Sequence, residues 1–309
     1  MSAPEGGREP LVLEADRFLE AAERSLDPLR GTRIHDAATR DRLAKLGIAD
    51  QSYVEWLRDL LPWLVDRYAR VPERPRILDF GCGTGELAVL MNRLGHPTIG
   101  LDVHGEHLRL ARILARENGL PPSIFLESAG GALPFADGAF DVVDLHVVIE
   151  HLEDPVLDRA LPELRRICRG CLYVTVPNRL QLVDDHTGLR FVPLLPRRLA
   201  SAYVRLRGRR HRYGISPGGG WDVTYRSFSS LRGRFRAHGF RLELPPDELV
   251  FPPIGSDAQV PLTRYHELSP SPWKRALWRL LGALIRWTTP SDAPPQALLP
   301  YLNLIFVPE

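Results

Sequence analysis

The chain of 309 residues contains 44% hydrophobic and 25% charged residues and carries a net charge of +2. These values exclude a disordered or fibrous protein and predict a globular one with a sizeable core. No run of roughly 18 uncharged apolar residues is present, which argues against a membrane-spanning helix. The start of the chain lacks the pattern of a secretory signal, so we expect the protein in the cytoplasm.

The N-terminal part predicts helices rather than strands. Residues 1–10 are polar and rich in Gly and Pro, which predicts a flexible tail. Apolar residues then recur at helical spacing over 11–30 and 51–70, which predicts amphipathic helices that pack on the core. We expect 11–72 to form a helical extension ahead of a main domain over 73–309.

From residue 76 onward, short apolar strands alternate with helical segments. This alternation predicts a Rossmann-like, doubly wound α/β fold, with a seven-stranded, mostly parallel sheet and helices on both faces. The predicted strands lie near 76–80, 97–102, 123–127, 140–147, 171–176, 240–244 and 300–307. The predicted helices lie near 84–94, 105–118, 156–168 and 227–238.

Two stretches interrupt this alternation, at about 178–225 and 245–298. The first is rich in Pro, Gly, Arg and aromatic residues, and the second in Pro. Because both follow strands of the sheet, where open α/β sheets bind ligands at the carboxyl ends, we expect them to form a lid over an acceptor.

The first predicted strand runs into a glycine loop with the pattern D-x-G-x-G-x-G, formed by Asp79, Gly81, Gly83 and Gly85. Glycines serve where backbone bends with positive φ and approaches a ligand closely. A dinucleotide site usually shows G-x-G-x-x-G, and its pyrophosphate rests on a helix N-terminus. A carboxylate ahead of the glycines would repel a pyrophosphate, but it suits a positively charged group.

The second strand ends at Asp102, seventeen residues beyond Gly85. An acidic side chain at that place can accept hydrogen bonds from ribose hydroxyls. The two features in one βαβ unit predict a nucleoside cofactor with a cationic end, against the alternative of a structural loop.

These residues resemble the class I methyltransferases that use S-adenosylmethionine (SAM), particularly the broad bacterial group acting on small molecules, lipids and glycans. The similarity continues in Leu133-Pro134-Phe135 with the following acidic and apolar residues, and in 149–155. The resemblance implies SAM as cofactor, with S-adenosylhomocysteine as product. It implies cofactor contacts from Asp79, Gly81, Cys82, Gly83, Gly85, Asp102, Val103, Ser128, Ala129 and His146.

One position departs from the family pattern. The family often has an Asp shortly before the Leu-Pro-Phe segment, where it binds the adenine amino group. Here the region reads Glu127-Ser128-Ala129, so Ser128 or the backbone takes that role.

Acceptor chemistry is expected from residues after the fourth and fifth strands. His151 and His186 are candidate bases for a hydroxyl acceptor, with a packing or capping role for His151 and a loop-fixing role for His186 as the alternatives. The candidate acceptor contacts are Glu150, Asn178, Arg179, Asp185, Trp221 and Tyr225. O-methylation is the preferred reaction, since the aromatic N-P-P-[YF] signature of amino-methylating enzymes is absent.

No metal is expected. Asp184, Asp185 and His186 have side chains that can bind a metal ion, but three adjacent residues rarely converge on one ion. The lone pair Cys168 and Cys171 is expected to be buried as two small apolar side chains, because a redox or zinc role needs further ligands.

Arginines cluster between Arg197 and Arg212 as a solvated face or as a site for an anionic group of the acceptor. The amphipathic segment 273–287 is expected to pack on the core, with contact to a membrane surface as the alternative. The expected partner is therefore a small-molecule, glycan or lipid acceptor, and nucleic acid is not favoured. The rival functions are a non-catalytic SAM-binding regulator and an RNA methyltransferase that uses the Arg-rich insert.

Overall fold

The computed structural model describes residues 8–25, 33–128, 131–184, 186–208, 223–251, 271–288 and 293–309. In these residues the strands are β1 (Ile77–Phe80), β2 (Thr98–Asp102), β3 (Phe125–Glu127), β4 (Phe140–His146), β5 (Cys168–Pro177), β6 (Phe240–Glu243) and β7 (Tyr301–Pro308). The helices are α1 (Asp16–Ser25), α2 (Arg33–Lys45), α3 (Ser52–Tyr68), α4 (Glu86–Arg93), α5 (Gly105–Glu117), α6 (Asp154–Ile167), α7 (Arg197–Leu206), α8 (Phe228–Ala237) and α9 (Pro272–Thr288).

The described strands form one seven-stranded sheet in the order β3-β2-β1-β4-β5-β7-β6. Strands β1 to β5 pair in parallel, and β7 is antiparallel to both β5 and β6. The mostly parallel α/β fold and the seven predicted strands are confirmed. The order reverses direction between β1 and β4, which are neighbours in the sheet, and such a switch point opens a ligand crevice at the carboxyl ends of the strands.

Helices cover both faces of the sheet. One buried cluster joins β1 to residues of α1, α3, α4 and α5, and a second joins β4 and β5 to α6 and α8. The central strands are therefore covered on both sides, and all seven residues of β4 are buried. This burial on both faces explains why the strands consist mostly of apolar residues.

The predicted N-terminal helices are present as α1 and α3, and a further helix, α2, lies between them. Helix α1 docks against the end of α5, where the Glu117 carboxylate accepts hydrogen bonds from the backbone N–H groups of Arg17 and Phe18. Helix α3 buries one face, including Trp56 and Leu57, against the sheet. The extension is thus packed onto the main domain rather than separate from it.

The cysteine pair lies where it was expected. Cys168 and Cys171 are free and buried in β5, and burial raises the pKa of both thiols. Their chemistry is that of small apolar side chains.

Helix α9 differs from the expectation. Trp273, Leu277, Leu280 and Trp287 are exposed, with 83% of Trp287 accessible to solvent. This side of the helix does not pack on the core, whereas Trp278 and Ile285 on another side are half-buried; helical spacing alone does not reveal which apolar face is covered. Among the described helices, none is both long and apolar enough to cross a membrane.

The close approach of β2 to β3 gives a stability prediction. A Cβ on Gly100 would lie 2.5 Å from the ring of Phe125 and 2.9 Å from the Cys82 sulfur. We expect Gly100→Ala to lower the free energy of unfolding by roughly 1–3 kcal/mol, because overpacking displaces those neighbours. Urea denaturation measures this change.

Gly233 in α8 supplies the matched control, since a Cβ there would meet no described atom within 4 Å. Gly233→Ala should raise the free energy of unfolding by up to about 1 kcal/mol, because Ala favours helix. A Gly100→Ala protein as stable as the wild type would contradict the packing around β2.

Candidate functional site

The glycine loop between β1 and α4 has the conformation that its sequence predicts. Gly81, Gly83 and Gly85 have φ values of +79°, +53° and +84°, a region that favours glycine. A Cβ on Gly81 would lie 2.7 Å from the side chain of Val148, and one on Gly85 would lie 2.7 Å from Phe125. Around Gly83 no described atom lies within 4 Å of that position, so the middle of the loop faces open space.

Asp102 at the end of β2 ties the loop to the sheet. One carboxylate oxygen accepts a 2.8 Å hydrogen bond from the backbone N–H of Gly83. The other accepts a 2.8 Å hydrogen bond from the backbone N–H of His104. The backbone N–H of Ser128 donates to the carbonyl of Asp102 at 3.0 Å. The acidic side chain, the open loop and the residue expected near adenine therefore lie at one edge of the sheet.

Asp79 lies beneath the loop and is 3% exposed. Its Oδ2 has no hydrogen-bond partner within the described chain. Burial raises the pKa of Asp79 to about 7; Lys45 opposes this rise, and Asp102 and Glu86 add to it. A bound cation would favour the charged carboxylate, so this buried oxygen fits the positively charged methionine end of SAM.

Two basic residues of α2 reach the same loop, and sequence reasoning missed them. Arg42 forms an ion pair of 3.1 Å with Glu86, the first residue of α4, and Lys45 interacts electrostatically with Asp79. The Thr84 hydroxyl donates to the Glu86 carboxylate at 2.7 Å. Weak amphipathicity hid α2 in the sequence, although it contributes charge directly at the cofactor loop.

His146 ends β4 among aromatic side chains. Its ring lies 5.8 Å from that of Tyr53, 5.5 Å from that of Trp56 and 5.9 Å from that of Phe251. Burial, then Lys45, lowers the pKa of His146 to about 3, so the imidazole is neutral near pH 7. Val147, the next residue, has a φ of +58°, an uncommon conformation for a β-branched side chain.

Three side chains meet beyond the end of β4: Glu150, His151 and His186. One carboxylate oxygen and one nitrogen from each imidazole lie within 4.8 Å of one another, and the imidazole rings are 5.2 Å apart. Glu150 is fully buried and His186 is 7% exposed. Burial lowers the pKa of His151 to about 4, with further contributions from His186 and His104. We call these three residues the acceptor cluster.

The acceptor cluster adjoins the glycine loop. Val148, which a Cβ on Gly81 would touch, comes two residues before Glu150. His104, which follows Asp102, acts electrostatically on His151. A cofactor held at the loop therefore has the acceptor cluster beside it.

Buried hydrogen bonds hold the acceptor cluster in place. The Arg226 guanidinium, in a residue only 4% exposed, donates to the carbonyls of Ile149 and Leu152 and to the carboxylate of Asp154. The backbone N–H of Thr224 donates to the carbonyl of Glu150 at 2.6 Å. Arg226 was not singled out in the sequence, where it is one arginine among many.

Asp184 supports the other side of the acceptor cluster. Its carboxylate accepts hydrogen bonds from the hydroxyls of Tyr225 and Thr187 and from the backbone N–H of His186 at 3.3 Å. Tyr225 thus lies next to His186, with ring centres 6.5 Å apart. His186 and Tyr225 are therefore neighbours on this side of the cluster.

The remaining candidates are placed as follows. The Asn178 side chain is buried and donates to the carbonyls of Ala297 and Leu299, whereas Arg179 is exposed. Val103 is 56% exposed beside Asp102, and Ser128 is buried. Candidates that lie outside the described residues are Ala129, Asp185 and Trp221.

The loop, the acidic strand end and the buried Asp79 together define the cofactor half of a class I SAM-dependent methyltransferase. A family model described as a methyltransferase domain matches residues 77–170. Residues 77–170 are therefore similar to a SAM-dependent methyltransferase domain, with SAM as the cofactor.

Curated relatives agree over part of their length. A ubiquinone biosynthesis O-methyltransferase of Pectobacterium carotovorum is 38% identical over 80 residues, covering 26% of this chain and 34% of the relative. A demethylmenaquinone methyltransferase of Chlorobaculum tepidum is 31% identical over 138 residues, covering 40% and 54%. The chain thus spans between about a third and about half of the length of these relatives.

Among solved structures, a SAM-dependent methyltransferase from Mesorhizobium loti aligns with a TM-score of 0.44 at 15% identity. The alignment covers 81% of this chain and 99% of that one.

SAM binding tests the cofactor half of the site. We expect Asp102→Ala to weaken SAM binding about 10- to 100-fold, since a hydrogen bond to a charged group contributes roughly 1.5–3 kcal/mol. Gly83→Val should abolish binding, because its side chain would enter the open space and strain the loop. Isothermal titration calorimetry measures both.

Asp137→Ala is the matched control, because Asp137 is 82% exposed and pairs with Arg166 away from the loop. It should bind SAM as the wild type does. Unchanged affinity in a folded Asp102→Ala protein would show that the cofactor does not lie against β2.

Proposed function

We propose that the protein transfers the methyl group of SAM to an oxygen atom of a small molecule. The observation that supports this most strongly is the buried acceptor cluster beside the glycine loop. Methyl transfer from a sulfonium is an in-line displacement, in which most of the catalysis comes from holding the acceptor close and aligned. A hydroxyl acceptor must also lose its proton, and groups able to receive one lie in this cluster.

Each part of the site has a distinct role in this proposal. Asp102 binds the ribose hydroxyls, and Asp79 faces the cationic methionine end. His151 and His186 hold the acceptor hydroxyl and take its proton, while Glu150 and Tyr225 complete the acceptor contacts. The oxygen then forms a bond to the methyl carbon as the sulfonium bond breaks, leaving S-adenosylhomocysteine.

We infer that the acceptor is a hydroxylated aromatic ring. By their names, one relative is an O-methyltransferase of ubiquinone biosynthesis and the other is a demethylmenaquinone methyltransferase. The rings around His146, contributed by Tyr53, Trp56 and Phe251, supply an apolar environment at the end of β4. Aromatic side chains favour packing with a flat ring. His186 and Tyr225, from the described residues of the segment after β5, would contact such an acceptor.

The exposed apolar side of helix α9 supports the proposal that the acceptor comes from a membrane surface. Trp273, Leu277, Leu280 and Trp287 lie on one side of the helix and are exposed, whereas Gly282 on another side is buried. Residues 271–288 contain four basic residues and no acidic one. An exposed apolar stripe flanked by positive charge suits the surface of an anionic bilayer. We therefore propose a cytoplasmic protein that contacts the membrane peripherally through α9.

Methyl transfer tests the function directly. Protein supplied with isotopically labelled SAM is incubated with catechol, hydroquinone and their prenylated analogues. We expect a product heavier by one methylene, with NMR placing the methyl on oxygen. His151→Ala and His186→Ala should each lower kcat by about 10²- to 10⁴-fold without changing SAM affinity, because they act on the acceptor proton.

His238→Ala is the matched histidine control. His238 directly follows α8, and its Nδ1 forms a hydrogen bond with the Arg234 carbonyl. It should retain full activity. Methylation on carbon or nitrogen would contradict the assignment to oxygen. Absence of transfer in a protein that binds SAM would favour the non-catalytic alternative.

Membrane contact is tested by flotation with phosphatidylcholine vesicles that contain or lack phosphatidylglycerol. We expect binding to the anionic vesicles, reduced by high salt. The double substitution Leu280→Ser and Trp287→Ser should reduce binding more than tenfold, since each buried apolar side chain contributes roughly 1.5–3 kcal/mol. Ile48→Ser, at an apolar residue 44% exposed outside α9, should bind like the wild type. Equal binding by the double variant would refute the contact.

A further inference from the structure

The acceptor cluster has the composition of a metal site. It brings together two imidazoles and one carboxylate, with ligand-type atoms within 4.8 Å of one another. Two of its members come from the turn after β4, and His186 comes from the segment after β5. Glu150 and His151 are adjacent in sequence, and the fold adds His186 from 35 positions further along the chain.

We propose that Glu150, His151 and His186 bind a divalent transition-metal ion of the zinc type. Two histidines and one carboxylate are a known ligand set for catalytic zinc, which keeps a further position open for water or substrate. Imidazole nitrogens favour Zn²⁺ and its neighbours over Mg²⁺ or Ca²⁺, which prefer oxygen ligands.

The geometry needs little change to accept the ion. Bonds of about 2.0–2.2 Å to one tetrahedral centre place ligand atoms roughly 3.3–3.6 Å apart. The three atoms already lie within 4.8 Å. Rotation of the three side chains would have to close the remaining distance, and His151 is the half-buried one among them.

The surrounding residues hold the ligands from behind. Arg226 fixes the turn that carries Glu150 and His151, through the carbonyls of Ile149 and Leu152. The Asp184 carboxylate accepts from the backbone N–H of His186. These contacts fix the backbone of the two segments that carry the three ligands.

Charge also favours a cation here. Glu150 is fully buried, and burial of a carboxylate is costly unless a positive charge accompanies it. The Arg226 guanidinium interacts electrostatically with Glu150 and donates its hydrogen bonds to Asp154 and to two backbone carbonyls. An ion bound by all three residues would add positive charge directly at the carboxylate.

This inference rests on the proposed function for its chemical consequence. The acceptor oxygen would occupy the open coordination position of the ion, and this binding would lower the pKa of the acceptor hydroxyl. With their nitrogens bound to the ion, His151 and His186 would act as ligands and not as bases, so the proton would leave to solvent while the oxygen–methyl bond forms and the sulfur–methyl bond of SAM breaks. The products are the methyl ether, S-adenosylhomocysteine and one proton, so no oxidant or reductant is needed.

Metal binding is measured on the full-length, untagged protein after treatment with a chelator. Titration with Zn²⁺ by calorimetry should give one site per chain, and Co²⁺ should give the visible absorption of a site with nitrogen and oxygen ligands. Glu150→Gln and His186→Asn should each weaken Zn²⁺ binding by at least about tenfold, since even outer-sphere losses reach that size. His238→Ala should not alter it.

SAM affinity and thermal unfolding of each variant separate loss of the metal from loss of the fold. If the folded wild type binds no Zn²⁺, or if both variants bind it as the wild type does, the metal proposal is overturned. Methyl transfer by chelator-treated protein at the full rate would overturn it as well, and would leave the proposed function standing. Zn²⁺ binding lost in both variants, in a protein without transferase activity, would support the metal site and refute the function.

Discussion

The two hydrogen bonds that the Asp102 carboxylate accepts set the geometry on which the site depends. They join the backbone of Gly83 and His104 to the end of β2, so the loop after β1 and the turn after β2 form one rigid edge. Because β4 pairs with β1 on the other side, this edge also positions the turn that carries Glu150 and His151. Cofactor and acceptor chemistry therefore share one anchor.

The same edge concentrates acidic groups that a core would not otherwise tolerate. Asp79 and Asp144 are register partners on β1 and β4, and burial, followed by Asp79, raises the pKa of Asp144 well above its ordinary value. Burying carboxylates costs stability unless positive charge or hydrogen bonds compensate. Such local conflict is typical of functional sites, and a cationic cofactor relieves part of it.

Sequence patterns predicted the sheet more fully than the surroundings of the site. The buried parallel strands consist mostly of apolar residues, and the loop after β1 needs glycine where φ is positive, so the sequence alone predicted both. Helix α2 has weak amphipathicity and escaped notice. The acceptor cluster joins Glu150 to His186 across 36 positions, a proximity that only the fold creates. Helix α9 was predicted to pack on the core, but one apolar side of it is exposed. Periodicity identifies an apolar face without identifying what covers it.

The central claim is that SAM lies across the loop with its methyl group directed at the acceptor cluster. A crystal structure with S-adenosylhomocysteine tests this most directly. The account predicts ribose hydroxyls bonded to Asp102, the amino group of the methionine end on the side of Asp79, and the sulfur facing Glu150, His151 and His186. A cofactor sulfur directed away from those three residues would contradict it.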